Sequence, residues 1–266
     1  MRNFFDSIII PLVKILRPEN ILEIGSASGK NSQYILETTE GESCVLHVID
    51  PVPSYDPKAL GAMHPGRMIH YNDLSLKVLE KIPHCELVLI DGDHNWYTVY
   101  NELKLLMNIS GTAGRPFPMT LLHDVAWPYG RRDLYYNPSN IPSEFRNPYK
   151  QLGMLPGRND LIKGGRNNSA HNALFENGPR NGVLTGIEDF IAEHPDQFDF
   201  FTIPVLWGLG VLVPRASRQE NQDLDEFLKK ITPSEELRKV MERVEHVRVV
   251  ENLGKIDEAQ KLKKSL

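Results

Sequence analysis

The stretch Asn20-Ile-Leu-Glu-Ile-Gly-Ser-Ala-Ser-Gly29 runs from a short apolar strand into a glycine-rich turn, and a helix is predicted after it, near 29–39. A turn between a strand and a helix presents backbone N–H groups and lets a ligand approach the chain closely. It is not the dinucleotide fingerprint G-x-G-x-x-G, because Ala27 and Lys30 replace the second and third glycines. The stretch therefore predicts a ligand site at the carboxyl end of a strand.

Strands and helices alternate on both sides of this turn. An apolar helix near 3–17 precedes it, and the elements predicted after it are strands at 44–50, 67–71, 86–91 and 119–124 and helices near 74–81 and 95–108. Alternation at this spacing is typical of βαβ units and predicts a parallel sheet. After a helix near 183–194, the runs 198–203 and 208–213 are separated by a few residues, which predicts a hairpin and an antiparallel last strand.

The region from 125 to 182 has little periodicity and is far longer than an ordinary connection. Its many aromatic residues favour an ordered lid over a disordered tract. From 126 to 182 it carries eight basic and four acidic residues. Arginine forks and aromatic rings suit a sugar that carries phosphate or carboxylate, although a solvated loop with scattered charge has the same composition. The candidate substrate residues are Trp127, Tyr129, Arg131 and Arg132.

We therefore expect an α/β protein with a Rossmann-like, doubly wound, mostly parallel sheet, an antiparallel last strand and a large inserted lid. Residues 1–216 would form this domain, with the lid at about 125–182, and 217–266 would form a C-terminal helical extension. That extension carries an apolar stripe at helical spacing, which packs on the protein's own core or pairs two copies; its members are Leu237, Val240, Met241, Val244, Val247, Val250 and Leu253.

Composition narrows the class of protein. The chain has 266 residues, 30 basic and 35 acidic, and this net charge of −5 argues against a nucleic-acid binder. Two cysteines inside apolar runs indicate buried free thiols rather than a disulfide scaffold. No apolar stretch is long enough to span a bilayer, and no signal peptide is recognised. We expect a soluble, cytoplasmic protein without a membrane partner.

Two further acids follow neighbouring predicted strands. Asp50 ends the second strand, where a carboxylate can accept hydrogen bonds from two ribose hydroxyls. Asp73 follows the third strand and would reach the rim of an adenine. The alternative is a tight structural turn with two surface carboxylates.

With these residues in place, 15–124 and the hairpin at 198–213 resemble the class I S-adenosylmethionine (SAM)-dependent methyltransferases. Glu23-x-Gly25-x-Ala27-x-Gly29 looks like the first motif of that family, with alanine in place of its middle glycine. The resemblance implies that SAM is the cofactor and that Asp50 binds its ribose. The cofactor contacts it implies are Glu23, Gly25, Ser26, Ala27, Gly29, Asp50, Asp73, Leu74 and Asp91.

A second group of polar residues follows the fourth and fifth strands. Leu89-Ile-Asp91-Gly-Asp93-His94 and Leu121-Leu-His123-Asp124 bring three carboxylates and two imidazoles to one rim. Such a group holds a divalent cation or performs proton transfer. Helix capping by an aspartate and a satisfied buried histidine are the alternatives.

These segments are similar to metal-dependent O-methyltransferases of the sugar and catechol types. The resemblance implies catalytic roles for Asp91 and His94, with His94 as the base, and metal ligation by Asp91, His123 and Asp124. His123 stands where the sugar enzymes carry an acid, so it is a metal ligand or a substrate contact. The cation would be Mg²⁺ or Mn²⁺, although imidazole suits manganese, iron or zinc better than magnesium.

The expected function is methyl transfer from SAM to a hydroxyl of a small molecule, a sugar or a glycosylated metabolite, with metal assistance. Two alternatives stay open. One is a metal-independent methyltransferase that acts on nitrogen or a carboxyl group, and the other is a SAM-binding protein without catalysis.

Overall fold

The computed structural model describes the backbone of residues 1–265 and the side chains of residues 1–254. Its main sheet has seven strands in the order β3-β2-β1-β4-β5-β10-β9. These strands are β1 (Asn20–Ile24), β2 (Val45–Ile49), β3 (Met68–Tyr71), β4 (Leu87–Ile90), β5 (Met119–His123), β9 (Phe198–Ile203) and β10 (Leu209–Pro214). The first five are parallel, and β10 runs antiparallel between β5 and β9. The predicted sheet is confirmed.

Helices cover both faces of this sheet. They are α1 (Ile10–Leu16), α2 (Lys30–Thr38), α3 (Pro57–Met63), α4 (Ser75–Val78), α5 (Trp96–Ala113), α6 (Val183–Ala192), α7 (Arg215–Glu220), α8 (Gln222–Ile231) and α9 (Glu235–Ser265). Helix α3 was not foreseen, although Asp56 caps it and Pro57 stands at its first position, a sequence signature of a helix start.

Each central strand is buried on both faces and supplies two cores. Along β4, Leu87 and Leu89 pack with α1, α2 and α8, whereas Val88 and Ile90 pack with α5 and α6. Residues that alternate along a strand point to opposite faces, so a continuous apolar run serves both layers. Both cysteines, Cys44 and Cys85, are buried free thiols, as the sequence predicted.

The region 125–182 is ordered and carries a sheet of its own. Its strands are β6 (Leu134–Tyr135), β7 (Tyr149–Gln151) and β8 (His171–Ala173), in the order β6-β8-β7. Asp133, 1% exposed, fastens this insertion to the main domain: its carboxylate accepts from the backbone N–H groups of Trp96 and Gly182 and from the side chains of Tyr135 and Asn147. The insertion thus has secondary structure of its own and a contact with the main domain.

The apolar stripe of α9 is divided between two environments. Leu253 is buried and Met241 packs against the core. Of the two alternatives for the stripe, packing on the protein's own core does not account for five members, which are exposed: Leu237, Val240, Val244, Val247 and Val250. Among the described residues, no helix is both long and apolar enough to cross a membrane.

Candidate active site

The neighbouring strands β4 and β5 end side by side and bring Asp91, His123 and Asp124 together. Nδ1 of His123 lies 2.8 Å from Asp124 Oδ2 and 3.2 Å from Asp91 Oδ1. One donor atom of each residue lies within 4.8 Å of the others. Asp124 has a φ of 60°, which is uncommon for a residue other than glycine and is found at functional sites. The predicted juxtaposition of these residues is therefore present.

His94 lies beside this cluster, in the turn between β4 and α5. Its Nε2 is 3.2 Å from Asp124 Oδ2 and 3.7 Å from Asp91 Oδ1. This nitrogen is buried and not aligned for a hydrogen bond with any described residue. The ring stacks on Tyr129, with centroids 5.6 Å apart, and its Nδ1 is 3.4 Å from the Tyr136 hydroxyl.

The carboxylates and imidazoles of the cluster shift one another's pKa. Burial opposes ionisation of His123, but Asp124 and Asp91 outweigh it and raise its pKa to about 9. Burial likewise lowers the pKa of His94, and Asp124 and Asp91 again outweigh it, so that this pKa lies well above 6.5. The imidazoles in turn overcome the effect of burial on Asp91 and Asp124 and hold both carboxyl pKa values below their usual range.

Asp93 does not join this cluster, although the sequence placed it at the same rim. Its Oδ2 accepts from the Thr98 hydroxyl at 3.2 Å, in the first turn of α5. Asn95 caps the same helix through the Thr98 N–H. Asp93 thus belongs to the start of the helix, which was the alternative interpretation of this aspartate.

Two cavities open at the carboxyl edge of the sheet. The loop cavity, about 290 Å³, borders the glycine-rich turn, and its lining includes Glu23, Gly25, Ser26, Ala27, Asn31 and Asp91. The insertion cavity, about 390 Å³, lies under the insertion, and its lining includes Asp124, Tyr129, Arg166, Asn167 and Trp207. His94 and Tyr136 line both cavities. The cluster therefore stands where the two cavities meet.

The polar wall of the loop cavity carries both acidic groups, Glu23 and Asp91, and basic groups, which are the Met1 nitrogen, Arg2 and Lys30. Burial raises the pKa of Glu23 to about 7, against hydrogen bonds from Ser32 and Asn31. Asn31 Oδ1 is buried and has no donor among the described residues. The nitrogen of Met1 donates to Asp91 Oδ2 at 2.8 Å. This wall fits a cationic ligand group, and Lys30 on the same lining fits a carboxylate.

Asp50 is hydrogen-bonded to the glycine-rich turn, whereas the sequence predicted that it binds a ribose. Asp50 Oδ2 accepts from the N–H groups of Ser26 and Ala27 at 2.9 Å, and its Oδ1 accepts from Val52 N–H. The carboxylate expected to bind ribose thus holds the turn in place. It is not part of the loop-cavity lining.

The other residues predicted to contact the adenosine half also lie outside the loop cavity. Asp73 is nearly half exposed, and its carboxylate accepts from Leu74 N–H and pairs with Lys77. Tyr55 covers Gly29 so closely that an added Cβ would lie 2.8 Å from its ring. The structure therefore brings Glu23, Gly25, Ser26, Ala27 and Asp91 to the cavity wall and does not bring Asp73, Leu74 and Gly29 there.

Of the four predicted substrate residues, Tyr129 alone lines the insertion cavity. Trp127 lines a separate cavity between the insertion and α9. Arg131 forks onto Glu188 of α6. Arg132 is fully buried, donates to the carbonyls of Ala173 and Asn159, and pairs with Glu176. Both arginines are thus paired within the protein, and their contact with an acceptor stays a prediction.

Three residues at the two cavities were missed by the sequence analysis. Arg166, Trp207 and Tyr136 come from the insertion and from the β9–β10 turn, and they meet only in the folded protein. The excess of arginine and aromatic residues in the insertion was a correct signal for the kind of residue. It could not say which members face the cavity.

No protein-family model matches the chain, and no curated protein matches it. Solved structures that are similar to it include the methyltransferase PaMTH1 of Podospora anserina bound to S-adenosylhomocysteine (SAH), with 16% identity, coverage of 78% of this chain and 76% of that one, and a TM-score of 0.47. The O-methyltransferase TomG of Streptomyces achromogenes, involved in tomaymycin synthesis, has 14% identity, coverage of 77% and 78%, and a TM-score of 0.44.

A third similar structure is the 1,6-didemethyltoxoflavin N1-methyltransferase of Burkholderia thailandensis, with 12% identity, coverage of 80% of both chains and a TM-score of 0.43. All three are methyltransferases. At this level of similarity they do not establish the reaction of this chain.

Proposed function

We propose that this protein transfers a methyl group from SAM to a hydroxyl of a small molecule with the help of a divalent cation. One observation carries the proposal: the loop cavity and the insertion cavity meet at His94 and Tyr136, with Asp91 on the wall of one and Asp124 on the wall of the other. A group-transfer enzyme needs this arrangement, because donor and acceptor must occupy separate pockets that share a boundary.

The loop cavity fits the methionine half of SAM. Glu23 and the buried Asn31 Oδ1 offer acceptors for an ammonium group, and Lys30 offers a partner for the carboxylate. Asp91 Oδ2 already pairs with the Met1 nitrogen, and the negative charge of Asp91 favours a sulfonium nearby. When bound, SAM supplies a methyl group already activated by its positive sulfur. The ribose role of Asp50 remains a prediction, because its oxygens already accept from the turn and from Val52.

The donor atoms of the cluster fit a divalent cation. Asp91, His123 and Asp124 offer two carboxylates and one imidazole within a sphere small enough for one ion. A bound cation would lower the pKa of an acceptor hydroxyl, which is otherwise far too weak an acid to ionise at neutral pH. Because one ligand is an imidazole, we favour Mn²⁺ over Mg²⁺.

His94 is the residue placed to accept the proton of the acceptor. Its buried Nε2 has no hydrogen-bond partner among the described residues, and its ring lines the insertion cavity. Asp124 and Asp91 hold this imidazole in its charged form in the protein alone. A cation that neutralises the charge of Asp124 and Asp91 would remove the cause of the raised His94 pKa. Burial would then dominate and favour the neutral imidazole, which is the form that a base requires.

The insertion completes the site by enclosing the acceptor. Tyr129 stacks on His94 and is held by Asn172 and Asn167 through its hydroxyl. Fixed walls align oxygen, carbon and sulfur, and alignment alone can contribute several kcal/mol to the rate. Exclusion of water by a covering segment serves the same step.

Calorimetry with SAH tests the assignment of the cofactor. We expect binding by the full chain and a loss of about tenfold in affinity in Asn31→Ala, because a buried acceptor for the ammonium group is removed. The control is Glu37→Ala, an exposed change on the same helix. Failure of SAH to bind, or tight binding of NAD instead, would contradict the proposal.

Chelation separates the proposed reaction from its alternatives. Treatment with EDTA should abolish SAH release from SAM and acceptor while SAH binding persists, and Mn²⁺ should restore more activity than Mg²⁺. Turnover that survives EDTA would favour a metal-independent methyltransferase. SAH binding with no turnover on any hydroxyl, amine or carboxyl compound would favour a SAM-binding protein without catalysis.

A further inference from the structure

Arg166 projects a positive charge onto the wall of the insertion cavity. Among the side chains that the structure describes, its guanidinium has neither an ion-pair partner within 4.0 Å nor a hydrogen bond, and its Nε is fully buried. A buried polar group without a partner is costly unless something in the functional state compensates it. The absence of a partner therefore points to a ligand.

Both the backbone and the side chain of Arg166 are held in place. Its N–H and C=O pair with Met154, each at 3.0 Å. Its guanidinium stacks on the Trp207 ring at 3.9 Å from the centroid. Trp207 is fixed in turn by Glu245 of α9, which accepts from the Leu206 and Trp207 N–H groups at 2.9 Å. The cation therefore belongs to a pre-organised wall.

Three arginines of the insertion have acidic partners, whereas Arg180, like Arg166, lies over an aromatic ring. Arg131 pairs with Glu188, Arg132 with Glu176 and Arg158 with Asp160. Arg248, which stacks on Trp207 at 4.2 Å, pairs with Glu245. Burial lowers the pKa of the Arg166 guanidinium, which has lost hydration without gaining a carboxylate. Apart from its stack on Trp207, the charge of Arg166 thus has no partner among the described residues.

We propose that Arg166 binds an anionic group, a carboxylate or a phosphate, on the methyl acceptor, while the hydroxyl to be methylated lies at the His94–Asp124 end of the same cavity. The guanidinium fork matches both oxyanions. The rings of Tyr129 and Trp207 and a volume of about 390 Å³ suit a small cyclic acceptor. The role of the anion as part of a methyl acceptor rests on the proposed function, whereas anion binding by Arg166 does not.

Binding of matched compounds tests this assignment without requiring turnover. The full chain, with SAH and Mn²⁺ present, is titrated by calorimetry with protocatechuate against methylcatechol, glucuronate against glucose, and a glucose phosphate against glucose. We expect at least one anionic compound to bind about tenfold or more tightly than its neutral counterpart. The first two pairs report a carboxylate and the third a phosphate.

The arginine variants assign the preference to Arg166. Arg166→Gln should remove it and Arg166→Lys should keep part of it, whereas Arg158→Gln, in an exposed pair of the same insertion, should keep it fully. SAH affinity should be unchanged in all three, which also shows that they are folded.

The proposal is wrong if anionic and neutral compounds bind alike, if no anionic compound binds, or if Arg158→Gln acts like Arg166→Gln. If Arg166→Gln loses SAH affinity, the decision passes to Arg166→Lys. An anion preference that persists in Arg166→Lys supports the proposal, and an anion preference that is lost in Arg166→Lys overturns it. Failure of wild-type protein to bind SAH would instead count against the proposed function. The matched compounds, titrated without SAH, would in that case still test whether Arg166 binds an anion.

Discussion

Gly25 shows how a residue can be singled out correctly for an incomplete reason. The sequence indicated a glycine that lets a ligand approach the chain. In the structure its φ is 85°, and an added Cβ would lie 2.3 Å from the Asp91 carbonyl oxygen and 2.6 Å from Gly92 Cα. Glycine is therefore required because the chain just after β1 approaches the chain just after β4 closely. The turn and the Asp91 ligand are positioned together.

His94 supports the sharpest prediction at the scale of one residue. Replacement by glutamine removes the proposed base but keeps a side chain of similar reach. We expect the rate of methyl transfer to fall about 10²–10⁴-fold, the usual effect of removing a general base, with unchanged SAH affinity. SAH release is measured against time, with His64→Gln as the control. A rate within a few-fold of wild type would exclude His94 as the base.

The residues that sequence reasoning found and missed differ in their place along the chain. Asp91, His123 and Asp124 directly follow strands, and the carboxyl ends of neighbouring parallel strands meet, so their approach was predictable. Arg166 and Trp207 meet through a stack between the insertion and the β9–β10 turn. No local sequence pattern encodes such a contact. The sequence could indicate that arginine and aromatic residues would line the cavity, but not which ones.

The insertion shows the same limit at the scale of elements. Strands β6, β7 and β8 contain two or three residues each, too few for an alternating pattern to be recognised. Their stability comes from hydrogen bonds to Asp133 and from the small apolar cluster of Tyr129, Leu134 and Met154. The aromatic content favoured an ordered segment, but it gave no sign of the three-stranded sheet.

Helix α5 carries a buried acid that makes stability depend on pH. Burial raises the pKa of Glu102 to about 8, against one hydrogen bond from Ser75. The unfolded chain releases this proton near pH 4.5, so the folded state binds more protons between about pH 4.5 and 8. Stability should therefore fall as pH rises through this window and level off above it. The upper limit of this loss is about 5 kcal/mol.

Glu102→Gln keeps the acceptor for Ser75 and removes the ionisation. The difference in free energy of unfolding between pH 5.5 and 8.5, measured in urea, should be a few kcal/mol smaller in this variant than in wild type. The exposed Glu80→Gln is the control. An equal pH dependence in wild type and Glu102→Gln would show that Glu102 ionises normally in the folded protein.

At the scale of the whole molecule, α9 has two roles. Its inner face supports Trp207 through Glu245. Its outer face exposes apolar side chains in a row, and a row of this kind marks an interaction surface. We expect a second copy of the chain to cover the outer face, because the exposed valines repeat at the spacing at which two helices pair.

Light scattering after gel filtration measures this association. Wild type should show a dimer that dissociates on dilution, and Val244→Asp should be monomeric at the same concentration. Val52→Asp changes a valine that is 84% exposed elsewhere on the surface and should behave as wild type. A monomer at all concentrations, or a dimer that Val244→Asp does not weaken, would contradict a role for α9 in pairing copies.

The global topology was the most predictable property of this chain. Alternating strands and helices fix a parallel sheet, and the short connection between β9 and β10 fixes the antiparallel end. The same logic located the site at the carboxyl edge. It could not show how the fold uses Asp50 and Asp73: one carboxylate accepts from the glycine-rich turn and the other from Leu74 N–H at the start of α4. Their contacts with the cofactor stay predictions.

The central claim is that the loop cavity receives SAM and the insertion cavity its acceptor, with a cation between them. A crystal structure with SAH and Mn²⁺ tests it most directly, because the anomalous signal locates manganese. We predict manganese bound by Asp91, His123 and Asp124, the SAH methionine half beside Glu23 and Asn31, and the SAH sulfur facing His94. SAH bound elsewhere, or manganese away from these three residues while the cluster is intact, would contradict the claim.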